Sequence, residues 1–302
     1  MKDVIIPIAQ YAARTKDDAL RKVSTSGGVF TELARVALSS GGVVVGVGWQ
    51  KSPFRPAFKV AHSESDLAEM RGAKYIWSGK VAGLNVGNNS GLFVGLPCQI
   101  AVARKLYGDK FVYCALICHS TPELEAWDYY VRSLEKHYNS KIKNVIFRSK
   151  ENGIWRRNNF VAEFENGEKY VVPSDDNIYT NAYFMGFSTR NVCANCTFKG
   201  GHHGADLVIG DFWGIEKWHP ELDDGKGLSA VLAYTERGEN FLRSANLALS
   251  RVEYQRILSG NPHLERNIKI DVRRKRLFMS LYRFLGIKIA SRIARSRIGN
   301  WL

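Results

Sequence analysis

No stretch of this 302-residue chain approaches the roughly 18 consecutive apolar residues that a membrane-crossing helix needs. The opening "MKDVIIPIAQYAARTKDD" lacks a basic head, a continuous apolar core and a small-residue cleavage site, so no secretory signal and a cytoplasmic location are expected. Cysteine is scarce and odd in number, five in all, with none before Cys98. In a reducing cytoplasm this argues against a disulfide framework and favours metal or redox chemistry. Neither a GxGxxG run nor a P-loop occurs, so those nucleotide fingerprints do not apply. Internal repeats and low-complexity segments are absent too. Acidic residues are missing from Arg273 onward, where nine Lys or Arg stand, so much of the net charge of +14 belongs to a short tail.

What is present alternates between strands and helices. "VIIPIAQYAA" reads as a first strand, followed by a turn at "RTKDD". "STSGGVFTELARVALSSGG" reads as a capped helix with a glycine stop, and "VVVGVGW" as a short buried strand. "SESDLAEMRG" carries a serine cap and first-turn acids. "GLFVGLPCQIAVARKLYG" and "FVYCALICHSTPELEAWDYYVRSLEKHY" each supply an apolar strand, a cysteine-bearing turn and a helix. From Ile142 the pattern shifts to short strands, with a hairpin around Asn166-Gly167. The expected fold class is α/β (α+β): a mixed sheet with flanking helices, a β-rich middle segment and a basic helical C-terminal tail. The expected parts are residues 1–141, 142–262 and 263–302.

Chemistry concentrates in a few stretches. Cys193 and Cys196 form a CxxC, which suits a ligand pair or a redox dithiol; the dithiol needs a helix at the motif, and "TFKGGHHG" is a poor helix. Cys98 and Cys118 each follow an apolar strand, and strand ends are where ligands collect in open sheets. Together the four thiols would suit a 4Fe-4S cluster or a tetrahedral zinc. Cys114 lies inside a strand and reads as core. His202 and His203 read as exposed loop residues rather than ligands. Ser24, Thr25, Ser26, Gly27 and Gly28 precede a helix, a seat for phosphate that is equally common as plain structural punctuation. Asp211 ends a strand and is placed to orient a ligand group; Phe212 and Trp213 beside it could stack on a planar ring or fill the core, and core filling is the expectation for Trp213. No side chain stands out as a general acid. His119, next to Cys118 at a strand end, is the candidate catalytic residue.

Taken together, "STSGGVFTELA", "RGAKYIWS", "GLPCQIAVAR", "LICHSTPELEAWDYY", "CANCTFKGGHHGADLVIGDFWGIEK" and "DDGKGLSAVLAYTERG" resemble, in order and spacing, the beta subunit of coenzyme F-420-reducing hydrogenase and its dehydrogenase relatives. The resemblance runs from about Ala9 to about Pro262 and leaves the tail outside. It implies an iron–sulfur flavoprotein oxidoreductase holding FAD beside a 4Fe-4S cluster. Cys98, Cys118, Cys193 and Cys196 would be the cluster ligands, with Arg190 and Lys199 near enough to favour its reduced form. Ser24 to Gly28, the loop bearing Lys74, Tyr75 and Ser78, and the turn bearing Gly95, Pro97 and Gln99 would surround the flavin and its phosphates. Residues 1–141 would then be the flavin-binding part. Many relatives carry an N-terminal ferredoxin module with extra cysteines, which this chain lacks. A separate ferredoxin-like electron carrier or partner subunit is therefore implied. The family's substrates vary, so coenzyme F-420 is one option among several, and other short bacterial members sit among polysaccharide biosynthesis genes. A non-catalytic, zinc-stabilised accessory protein is the alternative reading of the same cysteines.

The tail reads as two short helices broken at Gly286. Leu277, Leu281, Phe284 and Leu285 share one face of the first half, and Ile289, Ala290, Ile293 and Ala294 one face of the second. It either packs on the body with a basic solvent face or contacts an anionic membrane or acidic partner. Specific nucleic-acid binding is not expected, because no basic surface interleaved with aromatics lies outside the tail.

Overall fold

The computed structural model describes residues 3–151 and 155–296. In chain order its strands are β1 (Ala9–Thr15), β2 (Val43–Lys51), β3 (Phe54–Ala61), β4 (Gly91–Gly95), β5 (Phe111–Leu116), β6 (Ile142–Ser149), β7 (Asn159–Phe164), β8 (Lys169–Pro173), β9 (Leu207–Asp211), β10 (Ser229–Ala233) and β11 (Leu247–Arg251). The helices are α1 (Asp18–Val23), α2 (Val29–Ser39), α3 (Leu67–Met70), α4 (Pro97–Tyr107), α5 (Leu124–Tyr138), α6 (Ile178–Phe184), α7 (Ile215–Trp218), α8 (Glu236–Arg243), α9 (Tyr254–Gly260) and α10 (Val272–Arg295).

Eight strands form one mixed sheet in the order β11-β1-β10-β9-β5-β4-β2-β3. Its middle, β9-β5-β4-β2, is parallel, and the flanking pairs are antiparallel. The central strands are unbroken apolar runs because both of their faces are covered. Val44, Leu92, Val94, Val112, Cys114 and Ile209 meet Leu33, Ala34 and Ala37 of α2 and Leu242 of α8 on one side. Val43, Val45, Phe93, Tyr113 and Val208 meet Ile100 of α4, Ile215 of α7 and Ile257 of α9 on the other. Cys114 is fully buried there, as its place inside a strand predicts. The sheet draws strands from before and after Lys141.

The β-rich middle is a separate three-stranded sheet, β6-β7-β8, with Gly167 at φ 89° in the expected hairpin turn. It shares a core with α5, α6 and α10 built from Trp127, Tyr130, Phe147, Phe160, Tyr179 and Phe278. Trp127 Nε1 donates to the carbonyl of Phe54 at 2.8 Å and ties this layer to the large sheet.

The tail breaks at Gly286 (φ 78°, ψ 160°), as expected. In the first half the inward face is not the expected one, whereas in the second Ala290 and Ala294 are buried as expected. Phe278 and Tyr282 are buried, while Leu277 and Leu281 are half-buried and Phe284 and Leu285 are exposed. Phe278 and Tyr282, one turn apart, stack on each other, and Phe278 also stacks on Phe187; the two rings bury more apolar area than the leucines would. Among the described residues no helix is long and apolar enough to cross a membrane.

Candidate cofactor site

The carboxyl ends of the parallel strands share one edge of the sheet, the position where open α/β sheets bind ligands. A cleft of about 560 Å³ opens there. Ser24, Thr25, Ser26, Gly28, Lys74, Tyr75, Ser78, Gly95, Gln99, Cys118, His119 and Asp211 all line it. Two expected residues stand behind the wall instead. Gly27 packs so closely that a Cβ would lie 2.4 Å from the Ala13 carbonyl oxygen. Pro97 is buried in the first turn of α4, where its fixed φ suits a helix start.

The three hydroxyls of the "STSGG" loop are used to build it. Ser24 Oγ donates to the Leu20 carbonyl at 2.8 Å, Ser26 Oγ donates to Leu228 at 2.7 Å, and Thr25 Oγ1 accepts from the Ala73 amide at 3.0 Å. Lys150 clasps the loop from behind, donating to the carbonyls of Arg21, Ser26 and Lys226. The residue that opens α2 is Gly28, left-handed at φ 82°, so the helix has no serine cap and no side chain caps its first amides. Those amides carry the positive end of the helix dipole to the cleft wall.

Gln99 joins two walls. Its Oε1 accepts from the Leu96 amide, and its Nε2 donates to Ser78 Oγ at 2.9 Å and the Gly79 carbonyl at 3.1 Å. Lys74 is half-buried and donates to the carbonyls of Met70 and Arg71. Burial pulls its pKa down to about 7. Tyr75 sits edge-on to Phe147 and Phe184 and gives the cleft an aromatic floor.

The four expected cysteines come together where β4 and β5 end. All four are half-buried. Burial, then the charges of Cys196 and Cys193, push the Cys98 thiol up to about 11. Burial raises Cys118 to about 12, with Lys199 opposing and the other three cysteines adding to it. Each strand-end thiol therefore senses the CxxC pair. Lys199 Nζ donates to the carbonyls of Cys118 and His263, so its cation stands beside the quartet as expected. The Arg190 guanidinium lies 4.2 Å from the Trp77 ring, and its carbonyl accepts from the Cys193 amide at 3.0 Å. Among the described residues no three His, Cys, Asp or Glu side chains are gathered closely enough to hold a metal ion as they stand. Four thiols from three segments are nonetheless a donor set whose chemistry fits an iron–sulfur cluster.

Asp211 is committed to protein partners: Arg148 pairs with one oxygen, and Trp155 Nε1 donates to the other at 3.0 Å. Phe212 is core, but Trp213 is 36% exposed, lines the cleft and stacks on Trp155 at 5.2 Å, contrary to the core reading. Trp155 fills the inner position, and the Arg148 guanidinium also lies over the Trp213 ring, at 5.0 Å. His119 borders the cleft with Nδ1 3.0 Å from Ser120 Oγ and its ring 4.3 Å from His263. Burial, then His263 and Lys199, lower its pKa to about 4. His203 is buried, not exposed: its Nδ1 accepts from the Ala205 amide, and its ring packs on Tyr234.

Two family profiles match, both described as "Coenzyme F420 hydrogenase/dehydrogenase, beta subunit". The one for the amino-terminal part covers residues 10–84, and the one for the carboxy-terminal part covers residues 89–255. The chain belongs to this beta-subunit family. It is an oxidoreductase-type family related to iron–sulfur flavoproteins. No curated protein sequence matches the chain. A solved structure described as "Xenon derivatization of the F420-reducing [NiFe] hydrogenase complex from Methanosarcina barkeri" shares the fold, with TM-score 0.56 and 18% identity over 87% of this chain and 93% of that one. The family match ends before α10.

Four residues around the family site have no motif to announce them. Arg148 and Trp155 hold Asp211, His263 faces His119, and Lys275 of α10 reaches the CxxC loop. Its Nζ donates to Asn191 Oδ1 at 2.8 Å and to Glu123 Oε1 at 2.9 Å.

Proposed function

We propose that the cleft and the cysteine quartet form one electron-transfer unit, with FAD in the cleft and a 4Fe-4S cluster on Cys98, Cys118, Cys193 and Cys196. When bound, the flavin supplies two-electron chemistry and the cluster single-electron steps. The observation that carries this reading is adjacency: Cys118 lines the cleft and also senses the three other thiols.

The residues of the chain divide the work. The uncapped N-terminus of α2, opened by Gly28, would hold phosphate oxygens on its amides. Lys74, poised near neutrality, would gain a full charge beside an anion. Gln99 and Ser78 keep the two walls in register, and Tyr75 and Trp213 line the cleft where a planar group would lie. Arg148, neutralised by Asp211, fixes Trp213 from behind, with its guanidinium 5.0 Å from the ring. His119 is neutral at physiological pH. With Nδ1 engaged by Ser120, its Nε2 is the atom that would take a proton from a substrate and return it.

The substrate is a small molecule. A deazaflavin such as coenzyme F-420 is the first to assay, since the structural relative is described as F420-reducing. Electrons would pass to or from a partner subunit or a ferredoxin-like carrier. Anaerobic purification tests the reading: the protein should be brown-yellow, with iron, acid-labile sulfide and releasable FAD. Colourless protein with one zinc and no flavin, even after cluster reconstitution, would overturn it.

A further inference from the structure

α10 packs on the body with one side only. Phe278, Tyr282, Ile287, Ala290 and Ala294 are buried on both sides of the Gly286 break. At the break itself three large apolar side chains stand in water: Phe284 is 85% exposed, Leu285 41% and Ile289 48%. Scattered exposed apolar residues are ordinary, but a nearly naked phenylalanine with two such neighbours is an unpartnered apolar tip. Arg283, Lys288 and Arg292 surround it, all exposed. No acidic residue follows Asp271 anywhere in the chain.

This combination selects among partners. A second copy of the same face would bring like charges together, which opposes self-association. An acidic protein would satisfy the cations but would need a cavity shaped for Phe284. A bilayer with anionic headgroups satisfies both requirements at once, because apolar tips enter the acyl boundary while cations remain at phosphate level.

We propose that the tip of α10 docks this protein on an anionic membrane surface, inserting Phe284, Leu285 and Ile289 with Arg283, Lys288 and Arg292 at the headgroups. The contact is peripheral and independent of the cofactor reading.

Flotation of the full-length protein with vesicles tests it. Binding is expected to phosphatidylcholine mixed with phosphatidylglycerol, not to phosphatidylcholine alone, and should weaken as salt rises. Phe284→Ser should reduce affinity about tenfold or more. Lys288→Gln and Arg292→Gln should each cost about fivefold. All three side chains are exposed, so the variants should melt with the wild type. Absence of flotation with mixed vesicles at low salt would overturn the proposal. So would binding unchanged by these substitutions, or a concentration-dependent dimer that Phe284→Ser dissolves.

Discussion

Cys98 lies in the first turn of α4, directly after β4, and Cys118 follows β5, so the sheet itself places these two thiols. Cys193 and Cys196 lie in and just past the short 3-10 turn Asn191–Asn195 and are attached from outside. Four fastenings hold that loop against the segment after β5. Arg190 N donates to the Thr121 carbonyl at 2.9 Å, and Glu123 N donates to the Ser188 carbonyl at 2.6 Å. Thr121 Oγ1 contacts Cys193 Sγ at 3.6 Å, and Lys275 pins Asn191 and Glu123 from α10. One half of the site is thus as stable as the core. The other is only as well placed as its few fastenings, which makes it the half through which a cluster would enter or leave.

The largest effect should come from separating the end of β5 from its interior. Cys118→Ser should abolish bound iron, whereas Cys114→Ala should retain it and cost about 1–2 kcal/mol through a small core cavity. Iron content and urea melts of both variants check this, and equal iron loss in both would erase the distinction. On the sheet-built side, Gly27→Ala should cost about 3 kcal/mol, because its Cβ would have to displace backbone atoms of Ala13 and Ser229. A melting temperature close to wild type would show that the loop is softer than its packing indicates.

The attached half should respond differently. Lys275→Met leaves the Glu123 carboxylate without that cation and should cost about 1–2 kcal/mol. Its sharper signature is faster loss of iron to a chelator, with the cleft's affinity for FAD retained. Unaltered iron release would mean that α10 does not hold the CxxC loop. A pH-dependent effect concerns Lys74. Its folded pKa of about 7 lies below the usual lysine value of about 10.4. Below pH 7 both folded and unfolded chains carry the charge, and the burial cost is fully present. Between about pH 7 and 10 the folded chain holds the neutral amine while the unfolded chain stays protonated, so stability should rise with pH. Lys74→Met should remove that rise, measured as urea midpoints across this window; an identical slope would place the charge in solvent.

Much of the candidate site was legible because its residues sit where regular elements end. An apolar strand followed by a cysteine marks a sheet edge, and two such strands predict that the cysteines meet. The sheet's two edge strands, β3 and β11, were not legible. β3 contains Pro56 and alternates poorly, β11 is short and polar-ended, and neither is buried enough to show a pattern. Arg148, Trp155, His263 and Lys275 were equally hidden, since their partners are set by how distant segments pack and not by local spacing. The serines before α2 illustrate the reverse error. They have the composition of a cap, yet Ser24 donates to the Leu20 carbonyl and Ser26 to that of Leu228, and Gly28 opens the helix.

Whether the quartet and the cleft work as one unit is tested most directly by the rate of flavin reduction by a one-electron donor. The reaction is run under anaerobic conditions and followed by loss of the oxidised flavin absorbance. The wild-type protein and Cys118→Ser, both loaded with FAD, are compared. Both should bind flavin, and Cys118→Ser should be reduced many-fold more slowly. Equal rates would contradict the single-unit claim.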